Sequence, residues 1–168
     1  GHNFTAGPLD FIRVWVHMTI HDGAGNLVAE WGQLDPTTRR ICDSAGKPHE
    51  PGNSRNSGTL VLEGQPLDEN GEFLMEHELW RMAGGMGKRV IFPNHSDRHS
   101  YTFTVPSDAE GPLRVHADLN LRRYRQDFLD RVVPDMERDS GVYQPTLRQA
   151  QAKCEIGLLS GTPSPGGR

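Results

Sequence analysis

Strict alternation of apolar and polar residues along two long stretches constrains the fold of this chain more than any other feature. In 11–21 one face is apolar and holds Val14, Val16, Met18 and Ile20, while the other holds Trp15, His17, Thr19 and His21. In 113–121 the same pattern places Leu113, Val115, Ala117, Leu119 and Leu121 opposite Arg114, His116, Asp118 and Asn120. A period of two is typical of antiparallel strands that turn one face to the core. The chain is therefore predicted to be mainly β.

Shorter segments bounded by turn residues predict the remaining elements. The further strands are expected at 27–31, 59–63, 72–81, 88–93, 101–105 and 151–158, the last with Cys154 facing inward. Apolar residues at helical spacing then predict one amphipathic helix that ends at Pro134, and they are Leu121, Tyr124, Phe128, Leu129 and Val132. The segment 32–57 lacks any period and predicts a long irregular loop.

This order of elements predicts an immunoglobulin-like antiparallel β-sandwich with one C-terminal amphipathic helix and one long irregular loop. We expect a single domain at 1–159, which includes the 32–57 loop, and a flexible tail rich in Gly, Pro and Ser at 160–168.

Composition and charge exclude several classes of protein. The net charge of −4 argues against nucleic acid as the main partner, and no apolar stretch reaches the length of about 20 residues that a membrane helix needs. The chain begins without a methionine or a signal peptide, so we expect a processed protein or a segment of a longer one. Cys42 and Cys154 are consistent with either a disulfide or two free thiols. Neither belongs to a CxxCH motif, so no covalently attached haem is expected.

Histidine pairs and catalytic motifs provide the next candidates. His17 and His21 are four strand residues apart, about 13 Å, which is too far for both to bind one zinc ion. His95 and His99 lie in a loop that can bring two imidazoles together, so they form a weak candidate metal site. The sequence contains no nucleophile elbow, HExxH, P-loop or dinucleotide fingerprint, and we expect no enzymatic activity.

Arginines are enriched, with 15 Arg against 3 Lys. Biased codon usage is one explanation, and a need for planar donors that bind carboxylates or propionates is another. Arg122, Arg123 and Arg125 adjoin the predicted helix, together with Asp127 and Asp130. They predict either a salt-paired helix surface or a patch that faces the propionates of a partner's cofactor.

Several segments in a fixed order carry a resemblance. The opening GHNFTAG precedes VWVHMTIHDGAGNLV, and KRVIFP, YTFTVP and GPLRVHADLNLRRYRQDFLD follow. Together they resemble the β-sandwich domain found at the C-terminal end of many multihaem c-type cytochromes. Thr5-Ala6 replaces the proline-threonine pair of that domain, and its upstream CxxCH segments are absent here.

The resemblance implies a periplasmic or extracellular electron-transfer setting. It implies a haem-free accessory domain or subunit that docks on a c-type cytochrome, or on another subunit of a respiratory or photosynthetic complex. His2 matches the motif histidine and is the candidate axial ligand of a partner's haem, although an exposed terminal histidine explains it equally well. Trp15, expected to be exposed, is a candidate partner contact, together with Arg122, Arg123 and Arg125.

A second class of function remains open at this stage. An extracytoplasmic carbohydrate- or metal-binding module would use the 32–57 loop and the loop that carries His95 and His99.

Overall fold

Six antiparallel strands form one sheet in the computed structural model of this chain, which describes residues 2–5, 7–10, 12–49, 58–74, 77–133 and 144–158. The strands are β1 (Arg13–His21), β2 (Leu27–Trp31), β3 (Val61–Pro66), β4 (Met86–Arg89), β5 (Leu113–Arg122) and β6 (Leu147–Ile156). One short α-helix, α1 (Gln126–Val132), and a three-residue 3₁₀ helix (Leu79–Arg81) complete the described elements. The chain is thus mainly β. No helix among these residues is long and apolar enough to cross a membrane.

The strand order is β4-β3-β1-β5-β6, with β1 at the centre. One edge of β1 pairs along its whole length with β5, from Arg13 opposite Arg122 to His21 opposite Arg114. The other edge pairs with β3 near its start and with β2 near its end. Both long alternating stretches of the sequence are therefore confirmed as strands, and they are direct neighbours.

Each face of the sheet carries its own apolar cluster. Trp15, Ile41 and Val61 pack together on one face, where residues of the 32–49 segment cover the start of β1. Ile20, Trp31 and Leu113 pack on the other face. There the ring of Trp31 contacts Tyr101 and Phe103, at centroid distances of 5.0 and 6.0 Å. Connecting segments cover the sheet at these two places.

Several of the predicted elements differ from the structure in type or in bounds. Residues 72–81 contain the short 3₁₀ helix where a strand was expected, and residues 101–105 follow no strand pairing although Tyr101 and Phe103 do face the core. The strand expected at 88–93 ends at Arg89. The predicted amphipathic helix is present but covers only Gln126–Val132, and Pro134 lies outside the described residues. So do residues 50–57 of the loop and the 160–168 tail.

The expected exposure of Trp15 is wrong, because its side chain is only 1% exposed. Its indole Nε1 donates a hydrogen bond to the carbonyl oxygen of Gly32, at 2.8 Å, so the loop that follows β2 closes over the ring. Gly32 permits this approach with φ = 78°, and a Cβ there would lie 2.2 Å from the Val16 carbonyl oxygen. Only glycine tolerates both conditions.

The inward orientation expected for Cys154 is also wrong. β6 is an edge strand whose residues are all exposed, and Cys154 is exposed with them. Cys42 is buried, and both cysteines are free thiols. The alternation along β6 therefore does not mark a buried face within the described residues.

A cation-lined cavity as the candidate functional site

A cavity of about 350 Å³ lies at the end of the sheet where β1 begins and β5 ends. Its walls come from those two strands, from the start of α1, from the loop residues 39–41 and 47–49, and from residue 144. This is the face that carries Trp15, since Arg13 and Arg122 share that side of their strands.

Positive charge dominates the lining of the cavity. Six cationic side chains contribute to it: Arg13, Arg39, Arg40, Lys47, Arg122 and Arg125. Asp127 is the only carboxylate among the described lining residues. A concave site with such an excess of one charge attracts ligands of the opposite charge.

Local turn chemistry brings the loop cations to this site. The Asp35 carboxylate accepts hydrogen bonds from the backbone N–H groups of Thr37 and Thr38, and this turn precedes Arg39 and Arg40. The Asp43 carboxylate accepts from the N–H of Lys47 at 2.9 Å. These side-chain-to-backbone bonds fix short turns inside a segment that has no strand or helix of its own.

Carboxylates on or behind the wall pair with some of these cations. Arg125 pairs with the Asp127 carboxylate through two guanidinium nitrogens, and its Nε donates to Oδ1 at 2.5 Å. Arg13 lies 3.3 Å from the buried carboxylate of Glu63. These ion pairs stabilise the wall of the cavity. Arg122 is also buried, but it differs from these arginines in its partners.

Arg122 is only 8% exposed, and its described partners are neutral. Its Nε donates to the Thr146 hydroxyl at 2.9 Å, one terminal nitrogen donates to the Arg39 carbonyl oxygen at 3.0 Å, and the guanidinium lies 5.8 Å from the centre of the Trp15 ring. Burial, followed by the charge of Arg39, lowers the pKa of Arg122 to about 10. Within the described residues, no carboxylate forms an ion pair with it.

The position of Arg122 adds to the free-energy cost of burying its charge. It stands directly opposite Arg13 on the neighbouring strand, and its pKa is lowered by burial and, in addition, by the nearby charge of Arg39. Burial also lowers the pKa of Arg13 to about 10, although Glu63 opposes that effect. An anion in the cavity would offset the desolvation of Arg122 and its repulsion from Arg39.

Two further side chains on the wall have buried polar atoms without a partner among the described residues. One is Gln144, which is 7% exposed and whose amide oxygen and nitrogen both lack a hydrogen bond. The other is His49, whose Nε2 lies 3.2 Å from Glu63 Oε1 while Nδ1 lacks a partner. Buried polar atoms are normally satisfied, so a partner beyond the described residues is expected for both side chains.

Only some of the predicted contact residues lie at the cavity. Arg122 and Arg125 line the cavity, whereas Arg123 is exposed and does not. Trp15 lies beneath Arg122, out of reach of a partner. His2 is exposed, near the short bridge between Phe4 and Ile91.

The two loop histidines have different surroundings in the structure. His95 is exposed and lies 2.8 Å from the Pro93 carbonyl oxygen. His99 packs edge-on against Tyr101 and lies near the Arg89 guanidinium. Burial, followed by the charge of Arg89, lowers the pKa of His99. A search of the described part of the chain finds no group of three or more His, Cys, Asp or Glu side chains placed to hold a metal ion.

Inspection of the sequence missed Arg13, His49 and Gln144. A signal existed for Arg13, because the alternation along 11–21 gives it the same face as Trp15. No local signal marks His49 or Gln144, since each depends on contacts made by irregular segments.

Comparison with known proteins adds no assignment, as no family model, no characterised protein and no solved structure matches this chain.

Proposed function

We propose that this chain is a haem-free accessory domain of an extracytoplasmic electron-transfer assembly, and that it binds a carboxylate of its partner in the cation-lined cavity. The observation that carries the proposal is the buried Arg122 guanidinium, which has neutral partners within the described residues and lines the cavity beside five other cations. The binding has no catalytic step of its own in this proposal.

Arginine chemistry favours a carboxylate as the bound group. A guanidinium matches the two oxygens of a carboxylate in a bidentate geometry, and a buried pair of this kind excludes water. The sequence resemblance supplies the partner, a c-type cytochrome in the periplasm or outside the cell. Such a protein presents carboxylates both as acidic side chains and as the propionates of its haems.

Other exposed groups support a docking role. Trp80 is 80% exposed on the 3₁₀ helix, and tryptophan is enriched where protein surfaces meet. Trp80 therefore takes the place of Trp15 as the candidate aromatic contact. His2 is also exposed and remains the candidate axial ligand of a partner's haem.

The immunoglobulin-like sandwich remains part of this proposal. The described residues supply one sheet with apolar clusters on both faces, and a second layer of strands would have to cover one of those faces.

The test is a binding experiment with the purified chain. Immobilised chain is exposed at low ionic strength to a periplasmic extract that contains multihaem cytochromes, and haem absorbance is measured in the bound fraction. We expect haem protein to bind and free propionate to displace it. Arg122→Gln should weaken binding by at least about tenfold, because it removes one member of a buried charge pair.

Arg114→Gln is the matched control. It removes the same charge from the same strand, but Arg114 is half-exposed and pairs with Glu155 on the sheet surface, at 3.7 Å. Wild-type binding is expected for this variant. Absence of any bound haem protein would contradict the proposal, as would equal binding by the two variants.

A carbohydrate-binding module is the second candidate. The observation in its favour is that the predicted binding loop forms part of the cavity wall, through residues 39–41 and 47–49. The sugar would have to be acidic, given the charge of that wall.

A further inference from the structure

We infer that the ligand of the cavity is a carboxylate that carries a hydrogen-bond donor close beside it, and that Gln144 and His49 recognise this donor. The inference rests on the proposed role of the cavity and specifies which chemical group enters it. A bare carboxylate, such as a propionate, would satisfy only part of the wall.

The first step of the argument is the charge on Arg122. Its described hydrogen bonds use Nε and one terminal nitrogen. A guanidinium carries five N–H groups, so donors remain for a ligand carboxylate. This accounts for an acceptor on the ligand.

The second step concerns His49. Its Nε2 faces the Glu63 carboxylate, which is an acceptor, and this contact places the ring hydrogen on Nε2. Nδ1 has no hydrogen-bond partner within the described ranges. With the ring hydrogen on Nε2 alone, Nδ1 accepts a hydrogen bond, so a donor on the ligand would serve this nitrogen.

The third step concerns Gln144. Its amide oxygen accepts and its amide nitrogen donates, and neither atom has a hydrogen-bond partner in the part of the chain that the structure describes. Both atoms are shielded from solvent, so a ligand reaches them after rotation of the side-chain amide. A hydroxyl group or a peptide N–H beside the carboxylate satisfies the oxygen.

Two sources supply this chemistry. One is an acidic residue of a protein partner, whose backbone N–H lies near its side-chain carboxylate. The other is a hydroxylated organic acid, a class that includes acidic sugars. The probes below distinguish the two sources.

The experiment measures binding of small probes to the full chain by NMR titration at low ionic strength. The indole N–H resonance of Trp15 reports on the site, since the Arg122 guanidinium lies over that ring. Propionate is the carboxylate without a donor, and lactate is the same acid with one added hydroxyl. A capped aspartate, acetyl-aspartyl-amide, presents the carboxylate with a peptide N–H.

We expect lactate, capped aspartate or both to bind about fivefold more tightly than propionate, which is the effect of one neutral hydrogen bond. Preference for the capped aspartate identifies a protein partner, and preference for lactate identifies a free hydroxy acid. Gln144→Met, which keeps the length of the side chain, should reduce that preference to about twofold or less, whereas Arg122→Gln should abolish binding of all three probes.

Equal binding of the three probes to wild type would overturn the inference and leave the proposed carboxylate site intact. If no probe binds while the cytochrome does, the inference fails and the docking role stands. Failure of the probes and of the cytochrome together would overturn both. The comparison on wild type needs no variant, so poor folding of Gln144→Met does not prevent a decision.

Discussion

Two buried arginines of the cavity should respond in opposite ways to the same substitution. Arg122 has neutral partners in the described structure, and Arg13 pairs with Glu63. We predict that Arg122→Gln leaves the free energy of unfolding unchanged or raises it, and that Arg13→Gln lowers it strongly. A buried charge that costs stability in the free chain is expected if its role is to bind an anion.

The magnitude for Arg122 follows from its pKa. Burial depresses that pKa from its usual range to about 10, so the unfolded chain holds the proton more tightly than the folded one. The penalty is present in full at every pH below about 10 and disappears as the pH rises through the folded-state pKa toward the unfolded one. At about 1.4 kcal/mol per pKa unit the cost is at most about 3 kcal/mol, and about 2 kcal/mol once screening by water in the cavity is allowed for.

Arg122→Gln removes this cost at pH 7 but also loses the contact with the Trp15 ring, which stabilises by about 1 kcal/mol. It further loses at least one of the two hydrogen bonds to neutral acceptors, which stabilises by about as much. The net expectation is a variant between unchanged and about 1 kcal/mol more stable. Arg13→Gln instead leaves the carboxylate of Glu63, which is 1% exposed, without its guanidinium. Breaking a buried pair in this way costs about 3 to 5 kcal/mol.

Urea denaturation at pH 7, in a buffer without carboxylates or phosphate, measures both changes. When the measurement is repeated with propionate, the wild type should be stabilised and Arg122→Gln should be unaffected, since only the wild type has the arginine that binds the carboxylate. The reasoning is refuted if Arg122→Gln is destabilised as much as Arg13→Gln, because Arg122 would then stabilise the fold without any ligand.

Two further predictions concern the loop over the sheet and the thiols. Gly32→Ala should lower the free energy of unfolding by more than about 3 kcal/mol, because it combines a left-handed backbone with a steric clash. Gly46→Ala, with a similar φ and open space around it, should cost about 1 kcal/mol in the same urea experiment. Equal costs would show that the loop moves to accommodate the added methyl. Ellman's reagent should modify one thiol per native chain, Cys154, and both thiols in urea. Cys42 is buried, and burial raises its pKa, which disfavours the reactive thiolate; two fast thiols in the native chain would contradict this assignment.

The sequence predicted the centre of the sheet well and its surroundings poorly. The alternation along 11–21 and 113–121 is strong because both strands have neighbours on each side and an apolar face to bury. The segment 101–105 shows the same alternation without a strand partner. Its aromatic residues pack on Trp31 from a connecting segment, so side-chain burial alone produced the pattern.

Trp15 and Cys154 show why face assignments failed where strand assignments succeeded. Period two divides residues between two faces, but it does not state which face is covered. Trp15 lies on the mixed face and is buried by the loop that starts at Gly32, while Cys154 lies on the apolar face of an edge strand and is exposed. Coverage depends on contacts between distant segments, and these have no local signature.

The same limit applies to the cavity, and it explains why its most informative residue is grouped with the predicted helix in the sequence analysis. Arg122 was grouped with Arg123 and Arg125 by proximity in the sequence. The structure divides the three, because Arg122 is the last residue of β5 and faces Arg13, while Arg125 precedes α1 and binds Asp127. A strand that continues one residue further than expected thus carries a charge into the interior. Within the described residues no carboxylate of the chain pairs with Arg122, which is why we propose that a ligand anion offsets the cost of desolvating its charge.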